Sequence, residues 1–224
     1  MTHTLHRAGK YEDLENDFTV SVMPAKGYND ADAVEKQKAF LAAALKYNPV
    51  NVGDSTKGSE YRPSKNLKPT VHWRRESSPD PAKVVAEVDG PTTASAVFDN
   101  FESVKNLVAE LKELDLGISV NIASVPDKAI ECCNECGIAR HSVEYSLGFQ
   151  GSTEKLPDDD TLQLSSMCGH GMVAASLVRK MRDWVKTGRR TPRGASRYMA
   201  RFCVCGSFNP ARAERLLERA AAGK

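Results

Sequence analysis

The sequence predicts an α/β fold: a small α/β sheet domain over residues 1–157, then a C-terminal three-helix, cysteine-bearing segment over residues 158–224. Three observations predict it. Period-two and helix-period apolar patterns alternate through the first two thirds of the chain, and only helical patterns follow. The formal net charge of +2 also hides a division. From Ser176 to Lys224 thirteen basic residues face three acids (Asp183, Glu214, Glu218), a net +10, whereas residues 1–175 carry −8. With 224 residues, 41% of them apolar, the chain can bury an ordinary core without covalent staples.

The run Phe18-Thr-Val-Ser-Val-Met predicts a half-buried strand with Phe18, Val20 and Val22 on one face. Asn29 or Asp30 caps a helix over residues 31–47, with Val34, Leu41 and Leu45 inward, and Asn48-Pro49 stops it. Residues 48–81 lose periodicity and gather Gly, Ser, Pro, Lys and Asn. They read as a long polar arm over the surface, to which Trp73, Arg74 and Arg75 lend interaction chemistry.

Lys83-Val-Val-Ala-Glu-Val reads as a strand. Asn100 then caps a helix whose Phe101, Val104, Leu107, Val108, Leu111 and Leu114 form one stripe, closed by Gly117, and Ile118-Ser-Val-Asn-Ile is the next strand. A helix follows from about Pro126 to Cys136, with Gly137 as its stop. His141 to Phe149 alternates once more, with Val143, Tyr145, Leu147 and Phe149 facing one way. Beyond a polar linker at 151–160 the pattern is helical: one helix from near Gly169 to Lys186, a second capped by Thr191-Pro192, and a third capped by Asn209-Pro210.

All six cysteines lie beyond residue 131, in three groups: Cys132, Cys133 and Cys136; Cys168; and Cys203 with Cys205. Burial explains any one of them, but three clusters, two beside glycine, point to metal or thiol chemistry. Cys168 stands before Gly169-His170-Gly171 at the expected start of a helix, where free N–H groups and the helix dipole favour thiolate. Cys168 and His170 are therefore the candidate catalytic pair. Gly169 and Gly171, which let backbone approach an anion, and the cationic Arg140 are the candidate cofactor contacts. Cys203 and Cys205 point the same way if the chain is extended, and Gly206 lets it turn away. Arg140, Arg179, Arg201 and Arg212 are near the cysteines in sequence and can offset thiolate charge.

The long gaps between groups do not suit a small zinc finger. An iron-sulfur cluster accepts scattered thiolates, so Cys133, Cys136, Cys168, Cys203 and Cys205 are the candidate ligands, with Cys136, Cys168 and the Cys203/Cys205 pair meeting at one centre. The string Met167-Cys168-Gly169-His170-Gly171 resembles the loop that carries one of two catalytic cysteines in the proline racemase family, which implies a catalytic role for Cys168. That family's second loop, of Cys-Gly-Thr-Gly type, is absent here, and the chain is too short for its mirrored halves. The pairing of Cys-Cys-x-x-Cys with Cys-x-Cys is similar in logic to ferredoxin:thioredoxin reductase, a cluster beside a thiol pair, at different spacings.

The leading expectation is a cytoplasmic iron-sulfur protein, an enzyme or redox subunit, meeting an electron-transfer partner or an anionic substrate. Two alternatives stand beside it. One is a zinc-stabilised module whose basic helices bind nucleic acid, with Trp184 and Tyr198 as stacking residues. The other is a metal-free thiol enzyme with Cys168 as nucleophile. No apolar leader and no window of roughly 18 uninterrupted apolar residues is present, so neither export nor membrane insertion is expected.

Overall fold

The computed structural model describes residues 3–63 and 79–223. Trp73, Arg74 and Arg75 lie outside them. Among the described residues six strands form one sheet: β1 (Phe18–Met23), β2 (Asn51–Asp54), β3 (Gly58–Ser59), β4 (Arg62–Pro63), β5 (Ala94–Phe98) and β6 (Ser119–Ala123). Every pairing is antiparallel, in the order β4-β3-β2-β5-β1-β6.

The helices explain that order. After the short α1 (Tyr11–Leu14) and β1, α2 (Ala33–Leu45) carries the chain across to β2. After α3 (Pro81–Glu87) and β5, α4 (Phe101–Leu114) carries it across to β6. Each crossover leaves a gap that a strand of the other half fills: β5 lies between β1 and β2, and β1 between β5 and β6. This is the split β-α-β arrangement of ferredoxin-like sheets. Alternate residues Phe18, Val20, Val22, Ala94, Ala96 and Phe98 share a core with Phe40 and Leu41 of α2 and Val104, Leu107 and Leu111 of α4. Helix α5 (Pro126–Glu135) packs beside α4 and adds Cys132 to that core.

Five sequence expectations are corrected. Residues 51–63 of the expected polar arm carry β2, β3 and β4, with Asn51, Val52, Asp54 and Ser59 buried. Residues 83–87 belong to α3 and not to a strand, with Val88 as the extended C-cap residue, because the Asp80 side chain accepts from the Lys83 N–H with Pro81 in the first turn. The strand of that region is β5, which sequence alternation hides because both of its faces are buried. His141 to Phe149 forms no strand; Val143, Tyr145, Leu147 and Phe149 are exposed. The C-terminal segment has four helices and not three: α6 (Asp159–Ser166), α7 (Ala175–Lys186), α8 (Pro192–Ala200) and α9 (Pro210–Ala221). Asp158, inside the expected linker, caps α6 by accepting from the Thr161 N–H.

These four helices enclose a second core that includes Leu164, Met167, Val178, Met181, Met199, Phe208 and Leu217. It meets the opposite face of the sheet, whose buried residues are, Val97 apart, polar or small: Thr19, Asn51, Gly53, Ser59 and Ser95. The contact is the loop between α8 and α9. There a Cβ on Gly53 would stand 2.6 Å from the Cys205 carbonyl, and one on Gly206 would stand 2.5 Å from the Gly53 nitrogen. The two backbones touch, and neither position has room for a side chain.

The N-terminal strap closes the same junction. Asp17, fully buried, takes Arg7, Arg212 (3.0 Å) and the Asn209 amide (2.9 Å). Burial pushes the Asp17 carboxyl up, but the Arg7 and Arg212 guanidiniums and the Asn209 amide outweigh it and hold the group below the usual carboxylate range. Glu60, beside β3, goes the other way. Burial raises it to about 7 against the Val52 N–H and the Arg197 charge.

Two outcomes follow from this packing. Gly53→Ala should cost about 2–3 kcal/mol by overpacking, lowering the Tm by roughly 5–10 °C in a thermal melt; an unchanged Tm contradicts the contact. Glu60 holds its proton to higher pH folded than unfolded, so its contribution is undiminished below the unfolded carboxyl pKa and is lost as pH rises through about 7. Glu60→Gln should therefore be more stable than the parent at pH 8 by about 1–2 kcal/mol and equal to it near pH 4, as urea titrations would report.

Candidate thiol and metal site

The loop that crosses the sheet carries Cys203 and Cys205, and its carbonyls are taken by side-chain donors. Arg62 donates to the Phe202 carbonyl at 3.2 Å, Ser59 to that of Cys203 at 3.1 Å and Asn51 to that of Phe208 at 2.8 Å, while Ser95 and Arg7 donate to those of Cys205 and Ser207. With the carbonyls turned to the sheet, the sulfurs gather beside one another. Cys203 Sγ lies 3.8 Å from Cys205 Sγ and accepts the Phe208 N–H at 3.3 Å. Cys205 Sγ lies 3.6 Å from His170 Nδ1 and 3.2 Å from the Ser207 hydroxyl.

Cys168 joins the group from α6. It follows the C-terminal end of that helix and not the start of the next one, since α7 begins only at Ala175. The expected help from a helix N-terminus is therefore corrected. Its thiol is nonetheless lowered to about 6, first by a hydrogen bond from the Cys203 thiol, with burial and the Cys205 sulfur opposing and the His170 and Met172 N–H groups assisting. Gly169 and Gly171, both at positive φ, shape the turn that presents those amides. Cys203 is raised well above the ordinary thiol value by its hydrogen bonds to Cys168 and Cys205 and by burial. Cys203 thus keeps a proton and shares it with a thiolate at Cys168.

Cys168, Cys203 and Cys205 are buried, and His170 is exposed above them. Arg62 supplies the nearby positive charge, interacting with both Cys203 and Cys168. Sequence reasoning missed Arg62 because it comes from the polar arm, 106 positions before Cys168. Of the arginines it named, Arg212 is committed to Asp17, Arg179 lies 4.0 Å from Asp158, and Arg201 stacks on Tyr198.

The structure does not bring the third cysteine group to this place. Cys132 belongs to the core under α4, and Cys136 donates to the Lys105 carbonyl at 3.5 Å. Burial pushes the Cys132 thiol up to about 12, and it raises Cys133 as well, against the Arg140 charge. Cys133, Cys136 and Arg140 thus sit with the first core, and Cys168, Cys203 and Cys205 with the second, across the sheet.

Contacts at the site run in series, Cys168 to Cys203 to Cys205 to His170, and as they stand no group of three or more His, Cys, Asp or Glu side chains among the described residues is placed to hold a metal ion. No helix among them is long and apolar enough to cross a membrane. Comparison with protein-family models, curated proteins and solved structures finds no match to the chain.

In metal-free protein the ultraviolet absorption of thiolate should appear near pH 6, well below an ordinary thiol. Cys168→Ser should remove that step and Cys203→Ala, which takes away the donor, should move it upward. A single step near pH 9 in the parent would refute the assignment.

Proposed function

We propose that Cys168, His170, Cys203 and Cys205 take up one thiolate-bound metal ion, zinc foremost, which ties the turn after α6 to the loop between α8 and α9. The observation that carries this reading is a pair of distances. With bonds of about 2.3 Å to sulfur and 2.0 Å to nitrogen at tetrahedral angles, two sulfurs on one zinc stand about 3.8 Å apart, and sulfur and nitrogen about 3.5 Å. Cys203 and Cys205 are 3.8 Å apart, and Cys205 and His170 3.6 Å. Thiolates of a four-iron cluster each bind a different iron and stand farther apart, so this spacing favours a single ion over that cluster.

Closing the series into a tetrahedron asks movement of Cys168 and His170, which flank the flexible Gly169. The Phe208 N–H and the Ser207 hydroxyl already hydrogen-bond to ligand sulfurs, as the surroundings of a metal site do. Three thiolates and an imidazole leave no position for a substrate, so the ion's role is structural.

A second reading is favoured by the serial arrangement and by the lowered thiol of Cys168. In it the three sulfurs work without metal, Cys168 as the thiolate and Cys203 as its proton donor.

Metal analysis of protein purified without chelator separates the readings. One zinc per chain is expected, lost in Cys203→Ser and Cys205→Ser and kept in Cys132→Ser and Cys136→Ser, with a Tm that falls on chelation. Iron and sulfide in place of zinc would support the cluster; absence of any metal from protein refolded with zinc would leave only the thiol reading.

A further inference from the structure

At the far end of the sheet from these cysteines, a cavity of about 440 Å³ surrounds β6. That strand pairs with β1 alone among the described residues, leaving its outer edge without a strand partner. The turn at His3–His6 and the segment 138–145 wall the space, and a contact of 3.1 Å between His6 Nδ1 and the Ser146 hydroxyl ties the two walls together. Its size falls within the range of about 300–1,000 Å³ typical of sites for small organic molecules.

The lining is divided. Val108, Ile122 and Ala129 offer an apolar surface on the side of α4 and α5, and Ser21 and Asn121, paired across β1 and β6, offer a polar one. Two polar atoms within it are unmatched: Asn121 Nδ2 and the Ser124 hydroxyl are shielded from solvent and have no hydrogen-bond partner. Folded chains retain few such groups, and a donor of this kind is satisfied when an acceptor arrives. Arg140, exposed and in no ion pair among the described residues, also lines the cavity. The other titratable groups on the lining are His141, Glu144, Tyr145 and Cys133.

We infer that this cavity binds a small organic carboxylate with an apolar body. Its oxygens accept from Asn121 Nδ2, the Ser124 hydroxyl and the Arg140 guanidinium, and its body lies against Met23 and Ala123, which share the Asn121 face of the strand. One guanidinium and two neutral donors match a monoanion, and Glu144 on the same lining opposes a higher negative charge. This site shares no residue with the proposed metal centre and stands or falls separately from it.

The test is an NMR titration of the isotopically labelled full chain with phenylacetate and with phenylacetamide, which has nearly the same shape and no charge. Saturable shifts confined to residues 119–124 and 138–145 are expected, with the acid bound at least about tenfold more tightly than the amide. Arg140→Gln should erase that preference. Asn121→Leu should abolish binding while leaving metal content and the rest of the spectrum unchanged, and if it fails to fold, Ser124→Ala should weaken binding several-fold. Absence of saturable shifts with phenylacetate, shifts mapping elsewhere, or equal affinity for acid and amide would overturn the assignment.

Discussion

The loop from Phe202 to Phe208 is gripped by its carbonyl oxygens, and the arrangement of the sulfurs depends on that grip. Five of its carbonyls accept from Arg62, Ser59, Ser95, Arg7 and Asn51, residues drawn from the N-terminal strap and from four segments at or beside the sheet. Once those oxygens are fixed, the peptide planes are fixed, and the Phe208 N–H is directed to the Cys203 sulfur. Apart from the Arg62 charge, which acts on Cys203 and Cys168, the sheet reaches the thiols through the backbone of the loop. It sets the backbone that sets them.

The two faces of the sheet do different jobs for this reason. One packs Phe, Val and Ala against helices and carries the hydrophobic stabilisation of the first core. The other, Val97 apart, is a row of short polar side chains and a glycine, where area burial is modest and geometry is strict. A serine or asparagine there holds the loop at hydrogen-bond distance, and Gly53 admits its backbone to contact. A fully apolar second face would bury more surface, but it would hold the loop by shape alone.

Much of this was legible in the sequence. β1, α2, α4, β6, α5, α8 and α9 follow from alternation, apolar stripes and caps such as Asn100, Thr191 and Asn209, because local geometry writes those signals. β5 was hidden by burial on both faces, and residues 83–88 misled because two adjacent valines resemble a strand until Asp80-Pro81 is given its weight. At the candidate site the residues were legible and the physics was not. Cys168, His170, Cys203 and Cys205 do meet, yet the thiolate at Cys168 is favoured by a neighbouring thiol and not by a helix terminus. Arg62, Ser59, Ser95 and Asn51 act through contacts formed across more than a hundred positions of chain, which no local pattern announces. The Cys132 group was joined to the site by residue type alone, and the sheet stands between them.

The buried carboxylate at Asp17 has a bearing on how the polypeptide is made. One of its neutralising guanidiniums, Arg7, is translated before it, but Asn209 and Arg212 follow 192 and 195 positions later. During elongation β1 therefore carries at its threshold an ionised group that resists dehydration, and the polar side of the nascent sheet has no lid. Docking of the helical segment is thus deferred until α9 has left the ribosome, and a nascent chain that lacks α9 leaves the Asp17 carboxylate open to water.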